Sequence, residues 1–169
     1  MSSPAQAANQ AIRNLLRKLG KEYDIKRSLK PFNDNKDIYI IRKYFQDKCC
    51  YCRANILNTQ WDKDHLIPMN KEQGGLHAWG NIVPSCKGCN GKKQGSNWID
   101  YIKSLGLKTN QEESRIRRIH AYISKYNYNL DTQMSKDISH LCTKLYESIT
   151  TYVSSEITTQ FIKGKSLLK

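Results

Sequence analysis

Apolar residues recur on one helical face near the start of the chain. They follow a Ser-Pro start signal, and they are Ile12, Leu15, Leu16 and Leu19. This pattern predicts a helix that ends near Gly20. Basic residues outnumber acidic ones over residues 1–30, so the polar face of this helix either contacts phosphates or is simply solvated.

Two more helical patterns lie toward the other end. Ile116, Ile119 and Ile123 share one face of a predicted helix. A second predicted helix carries an apolar seam at alternating steps of four and three, formed by Ile138, Cys142, Leu145, Ile149 and Tyr152. Such a seam most often packs within its own domain, but it is also a candidate dimer surface. Residues 36–48 mix β-branched and aromatic side chains, which leaves both a helix and a strand open.

The middle of the chain has the shorter periodicity of strands. Residues 59–68 predict a short strand, and residues 70–75 are rich in turn-forming types. Residues 76–85 predict a second extended segment. After it, a helical pattern begins at about Asn90 or at Ser96.

The net charge of the chain indicates an anionic partner. Among 169 residues, 28 Lys and Arg stand against 15 Asp and Glu, which gives a formal net charge of +13. Nucleic acid is the commonest partner that neutralises such an excess. A membrane is the competing partner, but no stretch approaches the ~20 apolar residues of a spanning helix. Because the N-terminus lacks a basic start followed by an apolar run, we expect the chain to remain in the reducing cytoplasm.

The cysteines suggest a metal site. Four of the six form two Cys-x-x-Cys pairs, and such spacing in a reducing compartment more often indicates metal than disulfides. Two pairs supply the four thiolates that a structural Zn²⁺ prefers. The predicted ligands are Cys49, Cys52, Cys86 and Cys89. Disulfides and unlinked core thiols are the alternatives. Cys50 and Cys142 have no partner at ligand spacing and are predicted to be small buried or half-buried thiols.

Residues 49–93 resemble the HNH nucleases, the ββα-metal finger family, in the branch that carries a four-cysteine zinc site around the catalytic hairpin. Besides the cysteines, the resemblance rests on Asp64, His65, Pro68, Gly74, Gly75, Asn81, Asn90, Lys92 and Lys93. Many members of this family have His where this chain has Asn90, but others share the asparagine.

The resemblance implies an α+β fold. Its centre is a ββα-metal HNH core over residues 49–93, which the four-cysteine zinc site stabilises. The helix of this core is expected to continue to about residue 105. Residues 1–48 are predicted to form a basic helical N-terminal extension, and residues 106–169 a helical C-terminal extension. Because neither low-complexity sequence nor an internal repeat divides the chain, we expect residues 1–169 to be a single domain.

Phosphodiester hydrolysis requires a base to activate water and a cation to neutralise developing charge. Imidazole has an unperturbed pKa near ~6.5, so His65 is suited to be the base at physiological pH. The resemblance implies that Asp64 and Asn90 bind the catalytic cation. Their oxygen ligands favour Mg²⁺, with Mn²⁺ as a substitute, over a second zinc. The resemblance also implies that Asn81 bridges the loop and holds the His65 backbone in register.

The remaining histidines receive no catalytic role. His77 lies in the loop between the predicted strands and can reach DNA or the site, but a surface histidine is the commoner case. His120 and His140 fall in helical patterns without a partner at ligand spacing.

Together these features predict a metal-dependent endonuclease that hydrolyses DNA phosphodiester bonds. A site-specific, type II restriction-like enzyme for duplex DNA fits a small basic chain, and homing, phage or other defence HNH nucleases are alternatives. A noncatalytic zinc module that only binds nucleic acid would have no use for Asp64, His65 and Asn90 at this spacing. Since one site attacks one strand, we also expect a homodimer, with the seam from Ile138 to Tyr152 as the favoured contact.

Overall fold

The structure, a computed structural model, describes residues 3–156 and confirms the α+β fold. This part of the chain contains six helices and one two-stranded antiparallel sheet. In chain order they are α1 (Pro4–Lys26), α2 (Ile38–Tyr44), β1 (Trp61–His65), β2 (Ile82–Cys86), α3 (Lys87–Lys93), α4 (Trp98–Ser104), α5 (Thr109–Lys125) and α6 (Thr132–Glu156). The end of the predicted C-terminal extension, residues 157–169, lies outside the described residues. None of the helices described here is long and apolar enough to cross a membrane.

Helix α1 begins as predicted but ends later. Ser3 and Gln6 form a capping box that satisfies the first backbone amides, and Pro4 occupies the first turn. The predicted end near Gly20 is wrong, because α1 continues to Lys26. Gly20 serves close packing instead: a Cβ at this position would lie 2.4 Å from the backbone oxygen of His77.

The segment before the first cysteine pair is a helix. Residues 36–48, which left helix and strand open, contain α2. Ile41 and Phe45 lie four positions apart and are both fully buried, whereas Tyr39 and Ile40 are exposed. The buried residues therefore follow the helical period rather than the alternation of a strand.

The two strands form a hairpin in which Asp64 pairs with Val83 and His65 with Ile82. Strand β1 lies where it was predicted, but β2 begins only at Ile82, because residues 76–81 belong to the loop. The single helix predicted to run to about residue 105 is wrong. Two short helices, α3 and α4, stand there instead, separated by Gln94 with a positive φ of 45°.

Two apolar clusters support this arrangement. One surrounds the hairpin and includes the fully buried rings of Tyr51 and Tyr122. The other lies between α1 and α6, where Leu16 packs with Ile138 and Cys142. The predicted seam of α6 thus packs on α1, which covers its first part and makes it unavailable for the dimer contact that we expected there. Both Cys142 and Cys50 are buried, as predicted.

Candidate active site

Four cysteines meet at the base of the hairpin, and they are the four predicted ligands, Cys49, Cys52, Cys86 and Cys89. Their sulfur atoms all lie within 4.8 Å of one another. The first pair sits in the turn before the hairpin, and the second joins the end of β2 to α3. Hydrogen bonds from the thiols of Cys50, Cys52 and Cys89 lower the pKa of the Cys49 thiol, which favours a thiolate. The donor set therefore fits a tetrahedral metal ion.

Asp64 points from β1 toward the cysteine cluster and α3. Its Oδ2 accepts a hydrogen bond of 2.6 Å from the Tyr51 hydroxyl and lies 3.3 Å from Nζ of Lys93. Its Oδ1 accepts from the amide of His65 at 2.8 Å. Burial raises the pKa of Asp64, and the charge of Lys93 opposes that rise. Lys93, itself fully buried, also donates to the His65 carbonyl at 2.9 Å and so ties α3 to β1.

His65 points to the other side of β1, as expected for neighbouring residues of a strand. Its half-buried ring lies beside the ring of His77, with 3.0 Å between Nε2 of His65 and Nδ1 of His77. Burial, and next the charge of His77, lower the pKa of His65 to about 3. The imidazole of His65 is therefore uncharged at neutral pH.

Asn81 fastens the two ends of the loop between the strands. Its fully buried side-chain Nδ2 donates to the carbonyls of Ile67 at 3.0 Å and Leu76 at 2.8 Å. Its Oδ1 accepts from the amide of Ile67 at 2.8 Å, and its carbonyl accepts from the amide of Leu66 at 2.9 Å. These bonds hold the backbone immediately after His65.

Asn90 contacts a carboxylate that the sequence analysis missed. Its Nδ2 donates to Oδ2 of Asp62 at 3.0 Å, and Lys87 pairs with the other oxygen of Asp62 at 2.6 Å. The structure gives Asn90 no hydrogen bond to Asp64. Asp62 and Asp64 share a face of β1, and Asn90 and Lys93 share a face of α3, so the Asn90–Asp62 and Lys93–Asp64 contacts join the same two elements. The two-residue spacing of the aspartates on a predicted strand was the signal for Asp62.

His77 is not the surface histidine that we expected, since it is only 5% exposed. Its Nε2 lies 3.2 Å from Oδ2 of Asp34, so it joins His65 to a carboxylate of the N-terminal extension. Burial lowers the pKa of His77 to about 4, although the charge of Asp34 opposes this. No local pattern indicated the contact, because Asp34 and His77 are distant in sequence. His120 instead packs edge-on against Trp98.

A basic cleft opens beside His77. It measures about 580 Å³ and lies between α1 and the segment that follows it. Arg17, Lys21 and Lys30 line it together with Asp34. The cleft thus places positive charge next to His77, one member of the histidine pair.

The hairpin carries an Asp-His pair on its first strand, a helix packs across it, and four thiols cluster at its base. This arrangement is similar to that of the ββα-metal nucleases. A family model described as HNH endonuclease matches residues 49–97, so this stretch is similar to HNH endonuclease domains. The chain is also 34% identical over 74 residues to the Septu protein PtuB of Bacillus thuringiensis. That match covers 44% of this chain and 24% of PtuB, so it spans about a quarter of the relative's length. No solved structure matches the chain.

Proposed function

We propose that this chain is a metal-dependent endonuclease that hydrolyses DNA phosphodiester bonds, and that it cuts duplex DNA at specific sites in the manner of a type II restriction enzyme. One observation carries the chemical part of the proposal. Adjacent positions of β1 present an uncharged imidazole, His65, and a carboxylate, Asp64, that a tyrosine and a buried lysine hold in place. A general base and an oxygen ligand for a cation are what hydrolysis requires.

In this proposal His65 accepts the proton of the attacking water. Asp64 and Asn90 would hold Mg²⁺, or Mn²⁺ in its place, and the bound ion would neutralise charge on the phosphate and the leaving oxygen. Tyr51 and Lys93 orient the Asp64 carboxylate, and Asn81 keeps the loop after His65 closed. Asp62 accepts a hydrogen bond from Nδ2 of Asn90, which leaves the Asn90 side-chain oxygen free to be the ligand of the cation.

The four thiols would hold a structural Zn²⁺, because four protein ligands close the coordination sphere and leave no position for water. All six cysteines are free thiols, which supports a reducing compartment such as the cytoplasm. The net charge of +13 and the basic cleft support a nucleic-acid substrate. Cutting both strands requires two dockings or a homodimer. A dimer contact on α6 would have to use the outer part of the seam, where Tyr152 is 66% exposed.

Incubation of the purified protein with supercoiled plasmid and Mg²⁺ tests the proposal. We expect plasmid cleavage that stops when a chelator removes Mg²⁺. Discrete fragments would support site-specific cutting, and a smear would replace it with nonspecific nuclease activity. Nicked circles that accumulate before linear product would argue against a dimer. Binding without any cleavage, over a range of DNA and RNA substrates, would contradict the nuclease and favour a noncatalytic zinc module.

A further inference from the structure

A chain of three side chains runs from the N-terminal extension to His65. Oδ2 of Asp34 lies 3.2 Å from Nε2 of His77, and Nδ1 of His77 lies 3.0 Å from Nε2 of His65. Asp34 is in turn paired with Lys63 at 2.7 Å and with Arg17 at 3.1 Å. Asp34 and Arg17 lie outside the HNH match of residues 49–97.

The position of the proton on His77 sets the order of donors along this chain. A carboxylate only accepts hydrogen bonds, so when neutral His77 carries its proton on Nε2 it donates to Asp34 and presents Nδ1 as an acceptor. His65 must then carry its proton on Nε2 and donate it to His77, which leaves its Nδ1 unprotonated. Arg17 also lies 3.2 Å from Nε2 of His77. Because guanidinium only donates, that contact is a hydrogen bond only when Nε2 is unprotonated, and Asp34, 3.1 Å from the same Arg17 nitrogen, offers it another acceptor when Nε2 carries the proton.

The pocket around His77 is built to hold one orientation of its ring. Phe32 packs edge-on against it with the ring centroids 5.4 Å apart. The backbone of His77 lies against Gly20 so closely that no side chain fits there. Burial opposes ionisation of Asp34, but the charges of Lys63 and Arg17 outweigh it and lower the pKa of Asp34. The carboxylate is therefore a charged acceptor at neutral pH.

We propose that Asp34 and His77 are positioning residues for the base: they fix the ring orientation and tautomer of His65, so that Nδ1 faces the water to be activated. This inference rests on the proposed nuclease function. Neither residue touches the phosphate in this scheme, so both act through His65. The N-terminal extension thus completes an active site that the HNH domain alone leaves open on one side.

Single-turnover cleavage of plasmid at saturating protein tests this proposal. His77→Phe keeps the ring packing and removes both hydrogen bonds, and Asp34→Asn keeps the shape and removes the charge. We expect each to slow cleavage about 10–100-fold, as is typical when the partner of a functional histidine is lost, and the saturating protein keeps changes in DNA affinity out of this rate. His77→Asn retains an acceptor near the Nδ1 position and is expected to recover part of the rate. Asp137→Asn on α6, remote from the site, is the matched control and should cleave like wild type.

The decisive step combines these changes with His65→Ala. If His77 and Asp34 act through His65, His77→Phe and Asp34→Asn have no further effect on the residual rate of His65→Ala. A further loss in that background, or wild-type rates in both single variants, would overturn the proposal. If cleavage is lost in His65→Ala but unchanged in His77→Phe, the positioning role is overturned and the proposed nuclease function stands. Absence of cleavage by the wild type, or full activity of His65→Ala, would overturn the proposed function as well.

Discussion

Two neighbouring residues of β1 face different parts of the molecule. We call Asp64 with Tyr51 and Lys93 the Asp64 face, and His65 with His77 and Asp34 the His65 face. All three members of the Asp64 face lie within the HNH match of residues 49–97. The His65 face takes its carboxylate from the N-terminal extension. The proposed cation side is therefore contained in the residues of the HNH match, whereas the proposed base side depends on packing against a flanking segment.

The faces also differ in burial. On the Asp64 face the Lys93 side chain is fully buried and that of Asp64 is 11% exposed. On the His65 face, the Asp34 side chain is 29% exposed and shares its charge among several partners. Losing one partner of a buried ion pair leaves an uncompensated charge, which is costly, but a half-exposed network is solvated more easily. We therefore expect changes on the Asp64 face to affect folding and changes on the His65 face to affect the reaction.

Metal removal should have the largest effect on folding. The turn that contains Cys49 and Cys52 also positions Tyr51 against Asp64. A structural zinc site contributes about 10–16 kcal/mol of apparent binding free energy, so chelation or Cys49→Ser should unfold the HNH domain. Circular dichroism and elemental analysis check this, with about one zinc per chain expected in the wild type. Cys142→Ala, which removes a buried thiol outside the cluster, should retain the zinc. A metal-free protein with an intact fold would be inconsistent with a structural site.

Lys93→Met should have the next largest effect on stability, because it leaves Asp64 buried without its ion-pair partner. We expect a loss of about 3–5 kcal/mol in the free energy of unfolding. Urea denaturation measures the loss. Lys92→Met is the matched control on the same helix, since Lys92 is exposed and should change stability by less than ~0.5 kcal/mol. Equal effects of the two substitutions would remove the contrast between the faces.

The His65 face should respond to pH. The pKa of His77 falls from 6.5 in the unfolded chain to about 4 in the fold, so the folded state favours the neutral ring. Its contribution to stability is complete above pH 6.5 and is lost as the pH falls toward 4, by up to ~3 kcal/mol. His77→Phe should therefore reduce the dependence of unfolding free energy on pH over this window, and the lowered pKa of His65 should account for the dependence that remains. Parallel curves for wild type and variant would show that His77 does not contribute.

The smallest effect concerns the cleft beside the His65 face. If Lys21 and Lys30 contact phosphates, replacing either with Ala should reduce the slope of log affinity against log salt by ~1. Binding titrations on one duplex at several salt concentrations measure this slope. Lys136→Ala on α6 removes an exposed charge away from the cleft and should leave the slope unchanged. Equal slopes for all three variants would place the DNA elsewhere.

The contrast between the faces also explains what the sequence could reveal. Strand β1 and the cysteine cluster were predicted because their signals lie in short local patterns of residue type and spacing. The contact between Asp34 and His77 was not, because it depends on how α1 packs against the loop between the strands. Gly20 illustrates the same limit. A glycine in a helical pattern suggests an end, and only the tertiary structure shows that it allows close approach to His77.

The requirement for His65 is the most direct test of the proposed chemistry. Wild type and His65→Ala would be compared in single-turnover cleavage of one duplex with Mg²⁺, after zinc content and DNA affinity have been shown to match. Loss of a general base typically slows a reaction ~10²–10⁴-fold, and we predict a loss of that size with folding and binding preserved. Cleavage by His65→Ala at a rate close to that of the wild type would contradict the assignment of His65 as the base.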